Sequence, residues 1–292
     1  MKIAIASGKG GTGKTTLSVA LAQAADKNVQ LIDCDVEEPN GHIFIDAQLD
    51  KHEDVTIPIP VLDKTLCNNC GKCGEICQFN AIVTIGDKTM IFDDMCHSCG
   101  GCILVCPQQA LTEQQKTIGY LDSGSNTINC GQVHQLSFIK GSIKIGEAMS
   151  PPVIRAAKKK ADQNQLTIID CPPGTSCPMM TAVCDCDFVL LVTEPTPFGL
   201  HDLKLAVETM RCMDLPFAVI VNRDGCGDER VSEYCSAEKI PLVLKIKDDR
   251  RVATAYSRGE GLLSALPELA PKLRSLLDDI STWTKPATEG KQ

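Results

Sequence analysis

A chain of 292 residues, 43% of them hydrophobic, is long enough for one large or two ordinary domains around a full core. Its net charge of −8 argues against broad binding to nucleic acid or anionic membranes, which both need a basic surface, and no apolar run reaches the roughly 18–20 residues of a membrane span. Seventeen cysteines, in a chain whose first residues run straight into a functional motif instead of a secretory leader, point to metal or cluster ligation in the cytoplasm and not to a disulfide scaffold.

In chain order, KIAIA (residues 2–6) predicts a buried strand, GKGGTGKTT (residues 8–16) a glycine-rich loop, and LSVALAQAA a helix. VQLI (residues 29–32) predicts a second strand ending at Asp33, Cys34 and Asp35. Between about residues 62 and 112 the rhythm breaks and cysteines cluster around IVTIGDKTMIF, which reads as a hairpin turning at Gly86 and Asp87. Residues 113–150 are polar, Gly-rich and strand-like, with no legible chemistry. MSPPVIRAAKKKA predicts a helix with prolines near its start. Apolar runs at 166–169, 188–192, 217–221 and 242–246 predict strands, with helical stretches at 198–211 and 228–238 between them. The tail places Leu269, Leu273, Leu276, Leu277, Ile280 and Trp283 at amphipathic helical spacing. This alternation predicts an α/β fold with a doubly wound, mostly parallel sheet, whose ligands bind beyond the carboxyl ends of the strands. The expected division is 1–61 and 114–292 for the α/β domain, with 62–113 inserted.

The glycine-rich loop follows a strand and opens a helix, the context of a phosphate-binding loop. Gly8, Gly10, Gly11 and Gly13 let backbone N–H groups close on phosphate oxygens, with Thr12 and Thr16 inside the same motif. Lys14 is expected at the β- and γ-phosphates of a bound ATP or ADP, and Thr15 at Mg²⁺.

The cysteine segment contains an internal repeat. CNNCGKCGEIC (residues 67–77) and CHSCGGCILVC (residues 96–106) align with an offset of 29, which also matches Gly71 to Gly100 and Ala81 to Ala110. The doubled C-x-x-C-x-x-C-x-x-x-C spacing resembles bacterial two-cluster ferredoxins, in which the fourth cysteine of each run ligates the other cluster. That resemblance implies one 4Fe–4S cluster on Cys67, Cys70, Cys73 and Cys106, and a second on Cys96, Cys99, Cys102 and Cys77. Zinc sites close on two separated C-x-x-C pairs instead. Gln78 stands where a proline usually follows the fourth cysteine, whereas Pro107 keeps it.

The form KGGTGKT, with the extra Lys9, resembles the deviant Walker A motif of the MinD/ParA family of dimerising P-loop ATPases. The resemblance implies a homodimer with nucleotide at its interface, Lys9 reaching the partner's nucleotide, and Mg-dependent ATP hydrolysis. It further implies that Asp35 orients the attacking water and Asp170 holds Mg²⁺ through water. Gly174 would offer its N–H to the γ-phosphate, and Asn222 would recognise adenine. MSPPVIRAAKK, DCPPGTSCP and VTEPTPFGLHDLK are similar to MinD-superfamily ATPases that carry an inserted ferredoxin domain. MinD-type proteins have a membrane-targeting helix at the carboxyl end. Here Asp278 and Asp279 on the polar face favour a helix packed on its own sheet.

Nine cysteines lie outside the repeat: Cys34, Cys130, Cys171, Cys177, Cys184, Cys186, Cys212, Cys226 and Cys235. Most read as small buried hydrophobes. Alternation would put Cys184 and Cys186 on one face of an extended segment, for packing or ligation. Cys177 lies beside Gly174, which the resemblance makes the family's second switch, ahead of a helix that would favour its thiolate. Three functions follow in order of fit. The first is an ATPase that gates electron transfer through its clusters to a redox partner. The second is an assembly ATPase that carries a cluster or metal to an accepting protein. The third is a spatial organiser of the MinD/ParA kind.

Overall fold

The computed structural model describes residues 1–129 and 133–284, so Cys130 lies outside the described residues. β1 (Lys2–Ala6) leads through the glycine loop into α1 (Lys14–Ala24), and β2 (Val29–Asp33) follows. β3 (Gln48–Leu62) then departs from the α/β rhythm as a long strand. The cysteine-rich segment carries α2 (Lys72–Ile76), the hairpin β4 (Ile82–Ile85) and β5 (Lys88–Ile91), and α3 (Gly101–Leu104). Two further long strands, β6 (Leu111–Asn129) and β7 (Val133–Ile143), return the chain to the body. α4 (Pro151–Lys159), β8 (Leu166–Asp170), α5 (Cys177–Val183), β9 (Phe188–Thr193), α6 (Pro197–Cys212) and β10 (Phe217–Asp224) come next. α7 (Arg230–Ala237), β11 (Leu242–Lys247), α8 (Arg250–Tyr256), α9 (Leu262–Ala265) and α10 (Ala270–Trp283) complete the order.

The main sheet has the order β11-β10-β9-β1-β8-β2-β7-β6-β3. All pairings from β11 to β7 are parallel, and β7–β6 and β6–β3 are antiparallel. The α/β fold with a mostly parallel central sheet read from the sequence is therefore the observed one. What the sequence reading left unassigned is the antiparallel edge. Residues 48–62, 111–129 and 133–143 form three paired strands that extend the sheet and present the cysteine segment at the far end of β3 and β6. Alternation sorts the central strands into two cores. Ile3, Ile5, Ile168 and Leu190 pack with α1, α9 and α10 on one face, while Ala4, Ala6, Ile169 and Leu191 pack with α4, α5, α6 and α7 on the other.

α10 buries Leu273, Leu276, Leu277 and Ile280 in the first of these cores and packs along α1. Its apolar face is thus used within the chain, and Trp283 leans on Phe188 with ring centroids 5.6 Å apart. Among the described residues no helix is long and apolar enough to cross a membrane.

Candidate functional site

The carboxyl ends of β1, β2 and β8 meet at the glycine loop. β2 and β8 are in register with Asp33 opposite Asp170, so the two acids that end these strands lie side by side. Gly11 and Gly13 take positive φ values of 78° and 92°, the left-handed conformation that only glycine adopts without strain. Gly13 is also sterically closed, since a Cβ there would lie 2.4 Å from Asn222 Nδ2. A Cβ on Gly8 would lie 2.1 Å from the carbonyl oxygen of Asp202 in α6, so the loop is seated directly on that helix.

Lys14 is buried at the start of α1. Asp170 is fully enclosed. Its Oδ1 accepts a hydrogen bond from Ser18 Oγ at 3.1 Å, and among the described residues its Oδ2 is buried with no hydrogen-bond partner, as is Thr12 Oγ1. Burial pushes Asp170 up to about 6, opposed by the Thr15 hydroxyl and the charge of Lys14. Asp35 is also pushed up to about 6 by burial, opposed by Lys14 and reinforced by Glu37 and Glu38. Lys14, Thr15, Asp35 and Asp170 thus share one electrostatic environment. Asp33 is turned to structural use: its Oδ1 accepts from the Asp35 N–H and its Oδ2 from the Gly41 N–H, and burial raises it well above the usual carboxylate range.

Three expected contacts are engaged elsewhere. Asn222 Nδ2 donates to the Thr12 carbonyl at 2.9 Å and so fastens the loop from below. The Gly174 N–H, at a positive φ of 90°, donates to the Ser7 carbonyl. Lys9 Nζ lies 2.9 Å from Glu194 Oε2, and the other oxygen of that carboxylate is 3.3 Å from Arg223. Thr16 Oγ1 donates to Tyr256 on α8 at 3.3 Å. The sequence reading missed Ser18 and Glu194. Ser18 carried a usable signal, one helical turn after Lys14, whereas Glu194 showed only as an acid at a strand end.

In the cysteine segment the internal repeat is a repeat of backbone conformation. Asn69 and Ser98 have φ values of 53° and 56°, Gly71 and Gly100 of 75° and 72°, and Asn80 and Gln109 of 54° and 50°. Cys67 Sγ accepts from the Asn69 N–H and Cys96 Sγ from the Ser98 N–H, both at 3.4 Å. Gln78 and Pro107 occupy equivalent turns, closed by Asn80 N–H to the Cys77 carbonyl and Gln109 N–H to the Cys106 carbonyl. The backbone at Gln78 therefore closes without proline.

Two separate cavities open in this segment. Cys67, Cys70, Cys73 and Cys106 line one, and Cys77, Cys96, Cys99 and Cys102 line the other. Among the described residues no group of three or more His, Cys, Asp or Glu side chains is placed to hold a metal ion. Each set of four cysteines lies among the residues that line one cavity, with the fourth member supplied by the other half of the repeat. Burial pushes the Cys102 thiol up to about 11 and raises that of Cys73, so ligation by thiolates there would release protons.

The remaining cysteines divide by burial. Cys34, Cys171, Cys186 and Cys235 are buried, while Cys177, Cys184, Cys212 and Cys226 are exposed. Cys184 and Cys186 do not share a face as alternation suggested. Asp185 between them has a φ of 61°, so the segment turns and Cys186 points inward to donate to the Ala182 carbonyl.

Residues 3–263 match the family described as the CobQ/CobB/MinD/ParA nucleotide binding domain. The chain belongs to this family. It is 34% identical over 232 residues to Methanocaldococcus jannaschii protein MJ0578, covering 78% of this chain and 80% of that one. It is 29% identical over 293 residues to protein MJ0579 of the same organism, covering 97% of each. Among solved structures it resembles the septum site-determining protein MinD complexed with Mg-ADP from Pyrococcus horikoshii, with a TM-score of 0.55, 20% identity and 98% of each chain covered. The fold and the loop thus place the chain among MinD/ParA-type nucleotide-binding ATPases.

Proposed function

We propose that this chain is a Mg-dependent ATPase that works as a homodimer and couples its nucleotide state to electron transfer through two 4Fe–4S clusters to a redox partner. The nucleotide half of this reading is supported by the buried, unpartnered Asp170 Oδ2 and Thr12 Oγ1, which border a loop of left-handed glycines. A buried polar atom without a partner is costly, and a metal-bound water or a phosphate would satisfy it. The solved MinD relative holds Mg-ADP, which agrees with nucleotide and Mg²⁺ here. Lys14 would bind the β- and γ-phosphates, Thr15 and Asp170 would hold Mg²⁺, and Asp35 would orient the attacking water.

The observation that carries the redox half is the pair of four-cysteine cavities, each completed by a cysteine from the other half of the repeat. Cys67, Cys70, Cys73 and Cys106 would hold one cluster, and Cys77, Cys96, Cys99 and Cys102 the other. When bound, such clusters supply one-electron redox chemistry, tuned by hydrogen bonds to sulfur such as those from the Asn69 and Ser98 amides. This division makes residues 62–113 a ferredoxin-like insertion in the ATPase body.

Coupling between the halves follows from what must move. For Gly174 to donate to a γ-phosphate its N–H must leave the Ser7 carbonyl, which pulls on the segment that opens α5. For Lys9 to reach a partner's nucleotide it must leave Glu194. The test has two arms. Anaerobically purified protein is expected to contain about eight irons per chain, and Lys14→Ala is expected to lower ATP hydrolysis by about 100-fold or more. Iron-free protein contradicts the redox half, and retained hydrolysis contradicts the nucleotide site. Transfer of the cluster to an apo-acceptor on ATP addition replaces electron gating with the assembly role.

A further inference from the structure

We propose that the groove between α4, α5 and the second cysteine loop is the docking surface for an acidic electron-carrier protein, an inference that rests on the cluster reading above. The groove has a volume of about 1290 Å³, beyond the roughly 300–1,000 Å³ of a small-ligand pocket. One wall is α4, where Arg155, Lys158 and Lys159 sit at i, i+3 and i+4 on one face, while Val153, Ile154 and Ala157 are buried on the other. Lys2 adds a fourth cation to the lining, and among the described residues Glu37 and Asp185 are its only carboxylates. In a chain of net charge −8 this concentration of positive charge runs against the composition.

Lys158 is committed to the fold, since its Nζ donates to the carbonyls of Thr181 and Cys184 and ties α4 to the end of α5. Arg155 and Lys159 are different. Both are exposed, and among the described residues neither has a carboxylate within ion-pair distance, although the neighbouring Lys160 is paired with Glu53. Met149, Met180 and Met213 supply apolar lining of a kind that adapts to a partner's shape. Such a surface attracts and orients a negatively charged protein.

The residues that this groove shares with its neighbours make the partner a redox one. His97 and Ser98 line both this groove and the second cysteine cavity, and Ser98 Oγ is buried there without a hydrogen-bond partner. Cys177, the first residue of α5, and Glu37, two residues after Asp35, line the same groove. A protein seated in the groove therefore touches the rim of the second cysteine set and both segments that follow the acids of the nucleotide site.

The test uses the holoprotein under anaerobic conditions, with an acidic plant-type ferredoxin as probe and calorimetric titration as the primary measurement. Arg155→Glu combined with Lys159→Glu is expected to weaken binding at least about tenfold, and Arg155→Gln with Lys159→Gln to weaken it less. Wild-type binding is expected to fall as ionic strength rises from about 0.05 to about 0.3 M. ATP hydrolysis and the circular dichroism spectrum should stay unchanged, because both residues are exposed and neither belongs to the nucleotide-site residues named above. Reduction by the cationic dye methyl viologen is expected not to slow in the charge-reversed protein, whereas reduction by the ferredoxin should. Unchanged ferredoxin binding in a variant that holds its iron overturns the proposal. Binding of a 12-nucleotide single strand that the same substitutions abolish also overturns it, as does a change confined to self-association. If the wild-type protein holds no iron, the cluster reading fails and this inference falls with it. The iron assay separates that failure from failure of the docking surface alone.

Discussion

Gly13 shows how much of the nucleotide loop is decided by single residues. Its φ of 92° strains any L side chain, and a Cβ would meet Asn222 Nδ2 at 2.4 Å, so Gly13→Ala has to break the Asn222 contact with Thr12 or distort the loop. We expect this substitution to cost about 1–3 kcal/mol of stability in urea unfolding and to weaken nucleotide binding at least about tenfold by fluorescence titration. Asp35 and Asp170, both pushed up to about 6 by burial, give the site a pH signature. Nucleotide hydrolysis is expected to fall as pH drops through about 6, when these carboxylates take up protons. Stability of the nucleotide-free protein carries the opposite sign. Folding raises Asp170 above its ordinary 3.8, so its contribution is fully present below that value and is lost as pH rises through about 6. Asp170→Asn is therefore expected to match the wild type near pH 4 and exceed its stability near pH 8 in chemical unfolding. Equal stabilities at both ends would show that Asp170 is not held protonated by burial. At this scale the sequence was informative wherever a motif fixed a backbone need, as in the glycine loop. It could not reveal that Gly174, Lys9 and Asn222 already have partners, because Ser7, Glu194 and Thr12 are far from them in the chain and meet them only in the folded sheet.

Among the elements, β1, β2, β8 and β9 were legible because each is a short, mostly aliphatic run buried almost throughout, and the helices between the parallel strands carry their own boundaries. Pro197 at the first turn of α6, with Thr196 accepting from the Gly199 N–H, is one such boundary. The long strands β3, β6 and β7 were less legible. Exposed edge residues such as Lys51, His52 and Glu53 dilute the apolar pattern, and β3 pairs with β6 only across the whole cysteine segment. α10 was read as amphipathic from spacing alone, and the structure supplies the surface it covers. Leu273 is fully buried between α10 and the sheet. Leu273→Ala is expected to cost about 2–5 kcal/mol in thermal or urea unfolding, as a cavity in a packed core does. A loss below about 1 kcal/mol would mean that this face is not committed to the body and would reopen membrane targeting.

For the whole molecule, the sheet acts as a frame that holds two kinds of chemistry at a distance. The nucleotide loop sits at the carboxyl ends of β1, β2 and β8, and the two cysteine cavities sit beyond the ends of β3 and β6. The doubled cysteine spacing was legible because it is local, whereas the groove that joins the two regions was not, since its lining runs from Lys2 to Met213. The account stands on communication across that frame, from the second switch through α5 to the second cysteine set. Its most direct test is electron paramagnetic resonance of the anaerobic, reduced protein with and without Mg-ATP, alongside Lys14→Ala under the same conditions. We expect 4Fe–4S signals whose line shape or midpoint potential changes with Mg-ATP in the wild type and stays constant in Lys14→Ala. Spectra and potentials that are identical with and without Mg-ATP in the wild type would contradict the coupling.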